Sequence, residues 1–197
     1  MKLRLFCSAL VLVGATAVVT EVVSQDEQEM MKRWMEFMTP GSEHQWMQSK
    51  AGDWTMKGQH WQAPGMEAVT FEGSSKFTVA MDGRYFNEHV KGVTMGMPFE
   101  GVSTSGYDNM KKKFFTTWID NMGTGIMVME GHRFGNAIRY SGTGPDPMLG
   151  DYVPMRLVET MVDENTRTLE MFGPGPDGKE FMTMKQTYKR AGKAGSK

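Results

Sequence analysis

The chain reads as a mainly β protein, a single antiparallel up-and-down β-barrel preceded by one or two short helices. Three observations predict it. From Gly52 onward, segments that alternate apolar and polar side chains recur between Gly, Asn, Asp and Pro clusters about every ten residues. No segment beyond Gly52 has the length and period of a crossover helix, so successive strands must pair antiparallel. Eight or more such strands in an open sheet would leave long unpaired edges, which closure removes. A two-sheet sandwich is the alternative, but sequential hairpins suit an up-and-down barrel better than Greek-key crossings.

The elements follow in order. In residues 26–38, "DEQEMMKRWMEFM", acidic side chains occupy the first turn while Met31, Trp34, Met35 and Met38 share one helical face. "TPGSE" breaks that helix, and "SEHQWMQSKAG" predicts a second short one with Ser42 as N-cap and Gly52 near its end. "GDWTMKGQHW" then opens the first strand. "TFEGSSKFTVAM", "RYFNEHVKG", "KKFFTTWID", "GIMVMEG", "AIRYSG", "VPMRLVETMV", "RTLEMFG" and "FMTMKQTY" read as further strands, with "VDENTR" and "GPGPDGK" as hairpin turns. The domain layout is therefore a signal peptide over 1–24, a helical segment over 25–50, a barrel over 51–190 and a tail over 191–197.

The signal peptide rests on Lys2 and Arg4, the apolar run "LFCSALVLVGATAVV", and small residues at Ala15, Ala17 and Ser24 that offer cleavage sites. That run is too short for a spanning helix, so no membrane span is expected after cleavage, and the protein is expected to be exported, periplasmic or secreted. The single cysteine, Cys7, lies inside this segment. The processed chain would then hold no disulfide framework, thiol nucleophile or cysteine metal site. A formal net charge of −1 without a basic stripe excludes nucleic acid as a partner. The four histidines stand singly, no Gly-x-Ser-x-Gly elbow or phosphate loop occurs, and no cofactor or metal is expected.

Several motifs stand in a recognisable order: Gly52-x-Trp54, "MDGRYFNEHVKG" (81–92), "GMPFEGVSTSGYDNMKKKFFTTWID" (96–120), "DPMLG" (146–150) and the closing "YKR" (188–190). Together they resemble a family of exported bacterial proteins catalogued as domain of unknown function 1579. The resemblance implies a calycin-like barrel, the Gly-x-Trp pair being similar to that which opens lipocalin-type barrels, and it implies no established activity or catalytic residues.

Strand parity nominates site residues. Phe114, Thr116, Trp118 and Asp120 share one face of their strand and Phe115, Thr117 and Ile119 the other. The first set suits the lining of a partly polar pocket, with Trp118 inside and Asp120 at the mouth. On the preceding strand Arg84, Phe86, Glu88 and Val90 share the more apolar face, so Arg84 would turn inward and need an acid, Asp120 or Glu88. Arg156 is expected outside, paired across strands with "RTLEMF". The 21 methionines outnumber leucine and isoleucine together. The pairs Met95/Met97, Met127/Met129 and Met182/Met184 are read as flexible core filling rather than a Cu(I) site.

The expected function is binding of a small apolar or amphipathic molecule inside the barrel. Trp54, Phe86, Tyr107, Trp118, Met127 and Met129 would line the pocket, and Arg84 with Asp120 or Tyr107 would orient a polar end. The alternatives are an isomerase or hydrolase using Asp120 or His132 as general base, and a structural envelope protein with a solid interior.

Overall fold

The structure is a computed structural model that describes residues 24–192. Most of the expected signal segment (1–23) and of the expected tail (193–197) lies outside the described residues. Two compact units divide the chain at Met35/Glu36. Helix α1 (Gln25–Met38) makes up the described part of the first unit and continues into the second. It begins with a reciprocal cap. Ser24 N donates to Glu27 Oε2 at 2.9 Å, and Glu27 N donates to Ser24 Oγ at 3.2 Å. A one-turn Glu29–Arg33 pair follows at 3.1 Å.

The second unit holds α2 (Ser42–Gln48) and ten strands: β1 (Gly52–His60), β2 (Val69–Ala80), β3 (Tyr85–Thr94), β4 (Met97–Asp108), β5 (Lys113–Asp120), β6 (Met127–Phe134), β7 (Ala137–Asp146), β8 (Asp151–Asp163), β9 (Thr166–Pro174) and β10 (Glu180–Arg190). Each strand pairs antiparallel with its neighbours in sequence, and β1 pairs with β10, so the sheet closes into a barrel without edges.

Sequence patterning missed β4 because its middle, "GVSTSG", is small and polar, with weak strand preference. Pairing to β3 and β5 on both sides holds it in the sheet. The strand continues through Asp108, and the turn to β5 comprises 109–112. Ser42 is the first helical residue of α2 rather than its N-cap. Gly41 takes the cap position, and its N–H donates to His44 Nδ1 at 3.1 Å. Met95 lies in the β3–β4 turn with positive φ, and the β9–β10 register shifts between Met182 and Met184. Only Met127/Met129 keeps the plain two-residue alternation on an inward face.

The turns after odd-numbered strands form one end of the barrel, the mouth. Those after even-numbered strands form the other, the floor, where α2 packs against β4. The core occupies the floor half: Met47 of α2, Trp54, Phe77, Phe86, Phe114, Ile138, Tyr140 and Met161 are all buried. Trp46 of α2 meets Phe114 edge-on at 6.1 Å. This half is solid.

Candidate functional site

Strand β5 is oriented as its parity predicts. Phe114 and Thr116 are buried inside, Trp118 is half-buried, and Ile119 is exposed outside. Trp118 stacks on Phe99 at 6.3 Å with its ring inclined 19°, and its Nε1 donates to Asp120 Oδ2 at 2.8 Å. The other Asp120 oxygen accepts from Met122 N at 3.0 Å. Both oxygens are thus engaged in fixing the mouth. Met127 pairs across from Trp118 and Met129 from Thr116, and both methionines are buried.

The expected partnership of Arg84 with Asp120 or Tyr107 does not form. Asp120 ends β5 at the mouth, whereas Arg84 sits at the floor between β2 and β3. Arg84 follows Met81, Asp82 and Gly83, three successive residues with positive φ, and has itself αR dihedrals. Strand alternation begins only at Tyr85, so parity counted from Arg84 has no structural meaning, and its Nη1 donates locally to Met81 O at 3.2 Å. Tyr107 is also at the floor, 4.9 Å from Phe114 and 5.8 Å from His44 between ring centroids, and orients no ligand at the mouth.

The Gly-Tyr-Asp-Asn stretch has a structural task there. Asp108 Oδ1 accepts from Met110 N and Lys111 N at 2.7 and 3.0 Å, shaping the turn. Asn109 Nδ2 then donates to the carbonyls of Glu36, Phe37 and Thr39 at 2.8–3.2 Å, where α1 ends.

The buried arginine is Arg167 of β9, 1 % exposed, rather than Arg84, and Glu88, inward as parity on β3 predicts, is its acid. Arg167 Nη2 donates to Glu88 Oε1 and, at 3.3 Å, to Ser75 Oγ, while Nη1 reaches Glu159 Oε1 at 3.2 Å and Glu88 Oε2 at 3.3 Å. Ser75 Oγ also donates to Glu88. Lys50, just after α2 and 0 % exposed, donates to Glu159 Oε2 at 2.6 Å. Two cations and two carboxylates therefore cancel inside the floor half. The Arg167 guanidinium lies 3.7 Å from the Tyr188 ring centroid, with Trp54 and Phe77 at 5.3 and 5.8 Å. Its Nε is the one buried side-chain polar atom without a hydrogen-bond partner among the described residues.

Burial alone would push the Glu159 carboxyl up, but Lys50 and Arg167 more than offset it and hold its pKa below the ordinary 4.5. Burial lowers the Lys50 pKa against the pull of Glu159. For Arg167, burial opposes charge, and Glu88 leads the groups that reverse the effect and raise its pKa. With the folded pKa of Glu159 depressed, its contribution is present above the unfolded value near 4.5 and disappears as pH falls through the folded value. The stability gap between the native protein and Glu159→Gln, measured by urea denaturation, is therefore expected to be constant from pH 7 to about 5.5 and to narrow below about 4.5.

Parity could have found Arg167, which alternates with Leu169 and Met171 on the inward face of β9. Lys50 carries no periodic signal, since it belongs to the link between a helix and a strand. Arg156 is partly exposed outside and meets "RTLEMF" across strands, as expected: its guanidinium lies 3.7 Å from the ring centroid of its partner Phe172, and Glu180 adds an ion pair at 2.8 Å.

Open space is found toward the mouth, away from the nominated side chains. A cleft of about 940 Å³ lies along β1, β2, the β3–β4 turn and β10. Val69 and Phe71 on the inward face of β2 supply its apolar surface, exposed Val93 and Met95 border its rim, and Gln186, 7 % exposed, contributes a buried amide. None of the eight nominated residues lines it. Trp54, Phe86 and Met129 are instead fully packed in the core. His132 is exposed on the outside of β6, where it cannot serve an interior reaction. Among the described residues no group of three or more His, Cys, Asp or Glu is placed to hold a metal.

No curated protein matches the chain. Among solved structures, the crystal structure of Rv2717c from M. tuberculosis is similar at 12% identity and a TM-score of 0.57, covering 78% of this chain and 100% of that one. That likeness shows the barrel fold. Two redesigned β-barrels, b11L5F_LGL and mFAP0 bound to DFHBI, match with TM-scores of 0.38 and 0.40 at 14% and 15% identity. They cover 74% and 73% of this chain and 95% and 100% of their own, and add nothing to the fold assignment. The family model for proteins of unknown function DUF1579 matches residues 39–190, so the chain belongs to the DUF1579 family.

Proposed function

We propose that the protein is exported and carries a small apolar or amphipathic molecule at the mouth of its barrel. The cleft of about 940 Å³ carries this reading. It has the size of a small-molecule site, an inward apolar wall of Val69 and Phe71 with Met95 at the rim, and one convergent polar group in Gln186. The packed cluster in the floor half favours the mouth as the way in. Water leaving apolar surface on both partners supplies most of the affinity, and the closed sheet gives a wall that need not be ordered on binding.

A carrier is favoured over the isomerase or hydrolase by what lines the cleft. Its one acidic residue, Glu72, is paired with Lys57 at 3.2 Å, and it contains no histidine. Asp120 is engaged elsewhere, so no base with an orienting neighbour faces the bound molecule.

Native mass spectrometry of the full chain recovered from its own host is the test. A mass excess that disappears on organic extraction is expected, on a polypeptide whose N-terminus falls between about residues 18 and 26. A chain that is always bare, and that gives no binding heat with C12 amphiphiles, would overturn the carrier. An intact Met1 on the functional protein would overturn export.

A further inference from the structure

We infer that the molecule carried in the cleft enters with an uncharged hydrogen-bonding head, an alcohol or a primary amide, which seats against Gln186; the inference rests on the carrier reading and specifies its ligand. Three observations converge on it. Gln186 is 7 % exposed yet forms part of the cleft wall, so a polar side chain is placed where an apolar one would complete the surface. Its Nε2 donates to Tyr188 Oη at 2.6 Å, and among the described residues its Oε1 accepts no hydrogen bond. Unlike Arg167 Nε, Gln186 Oε1 is not fully sealed, and its residue borders the cleft. A group that both donates and accepts satisfies this amide whichever of its ends faces the ligand.

The second observation is electrical. Behind Gln186, the Tyr188 ring lies on Arg167, and the Arg167 charge looks like an anchor for a carboxylate. It is already cancelled. Glu88 and Glu159 neutralise Arg167 and Lys50, so the buried end of the site offers a ligand no net charge of either sign. A carboxylate drawn down to Gln186 would lose its hydration without a counter-charge, and an ammonium would fare no better. An alcohol loses little and gains the open oxygen of the amide.

The third observation concerns the rim. Lys57 is paired with Glu72 at 3.2 Å and Lys185 with Glu170 at 3.0 Å. Both lysines sit on outward positions in water, where a further anion gains little. Gly58 completes the seat. A Cβ on it would strike both the Phe71 ring and the Gln186 side chain, so glycine is what allows an apolar and a polar residue to meet at one point of the wall.

Isothermal titration calorimetry of the full chain at pH 7.5 with dodecan-1-ol, dodecanamide, dodecanoate and dodecylammonium decides the matter. These probes share one tail and differ only in head charge. The two neutral probes are expected to bind at least tenfold tighter than either ion. Gln186→Met, which keeps the volume and removes the hydrogen bonds, is expected to cut dodecan-1-ol affinity about tenfold and leave dodecanoate unchanged. A preference below tenfold, or one for dodecanoate with its head at the rim lysines, overturns the inference and leaves the carrier standing. An unchanged ratio in Gln186→Met removes Gln186 as the seat, and silence from all four probes overturns both readings. The comparison of probes on the native chain stands even if the variant does not fold.

Discussion

Replacing Arg167 with methionine is expected to cost about 3–5 kcal/mol of unfolding free energy, read from urea denaturation followed by near-ultraviolet circular dichroism. The loss does not come from contacts of the methionine, which fits the apolar neighbours Trp54, Phe77 and Tyr188 well. It comes from what is left behind. Glu88 and Glu159 would remain buried with only Lys50 to balance them, and Glu88 would keep Ser75 as its remaining partner. An uncompensated buried charge is among the most expensive single defects a fold can carry, and a domain with ~5–15 kcal/mol in total has little to spare. A loss below about 1 kcal/mol would show that water reaches the two carboxylates and that the floor half is less dry than its packing implies.

The same logic separates the cost of breaking the cluster from the worth of having it. Exchanging all four charges together, Lys50 and Arg167 for methionine and Glu88 and Glu159 for leucine, is expected to restore most of the stability lost in Arg167→Met. Four buried charges are an expensive way to fill a barrel, since apolar side chains of similar volume fill it as well. The cluster therefore has more to do with the polarity of the interior than with the stability of the fold. It sets a charge-neutral yet hydrogen-bonding base beneath an apolar mouth. Gln186 links the two levels, because it bonds Tyr188 below and borders the cleft above.

How far such an interior can be read from sequence depends on the kind of signal each residue carries. Alternation placed Phe114, Thr116, Trp118, Phe86, Glu88 and Val90 on the inward face, because the strand period is imposed by backbone geometry and extends over the whole element. It failed at Arg84, where three left-handed residues interrupt the backbone before the strand starts. It failed again at Met182/Met184, where a bulge shifts the register. It also overlooked β4, whose small polar residues look like a loop until their neighbours pair with them. Position along the barrel is a different quantity, and parity says nothing about it. Asp120 and Tyr107 both ranked as pocket residues, yet they lie at opposite ends, and the cleft opens beside neither. Lys50 could not be found this way at all, because its burial depends on a contact 109 residues away in Glu159.

Removing the indole of Trp54 is the second large loss to expect. Trp54→Ala should cost about 3–5 kcal/mol by the same denaturation measurement, since the ring is 1 % exposed and central to the floor half. Three elements meet on it. Its Nε1 donates to Lys50 O at 2.9 Å, tying β1 to the link that follows α2. Arg167 stands 5.3 Å from its centroid and Arg190 4.3 Å, so the ring touches both the buried cluster and a second guanidinium at the floor. Arg190 donates to the carbonyls of Glu164, Ala51 and Ser49 at 3.0, 2.7 and 2.9 Å, joining the β8–β9 turn to the segment before β1. Gly52 makes room for it, because a Cβ there would lie 2.7 Å from Arg190 Nη1 and the backbone has a φ of +135°. The first and last motifs of the family pattern, Gly52-x-Trp54 and "YKR", are thus two halves of one clasp. Trp54→Phe separates its parts: most of the packing remains, the hydrogen bond to Lys50 O is lost, and a smaller cost of about 1–3 kcal/mol is expected. If the phenylalanine variant proves as unstable as the alanine one, the hydrogen bond to Lys50 holds the clasp. If it is indistinguishable from the native protein, the ring does so by packing alone.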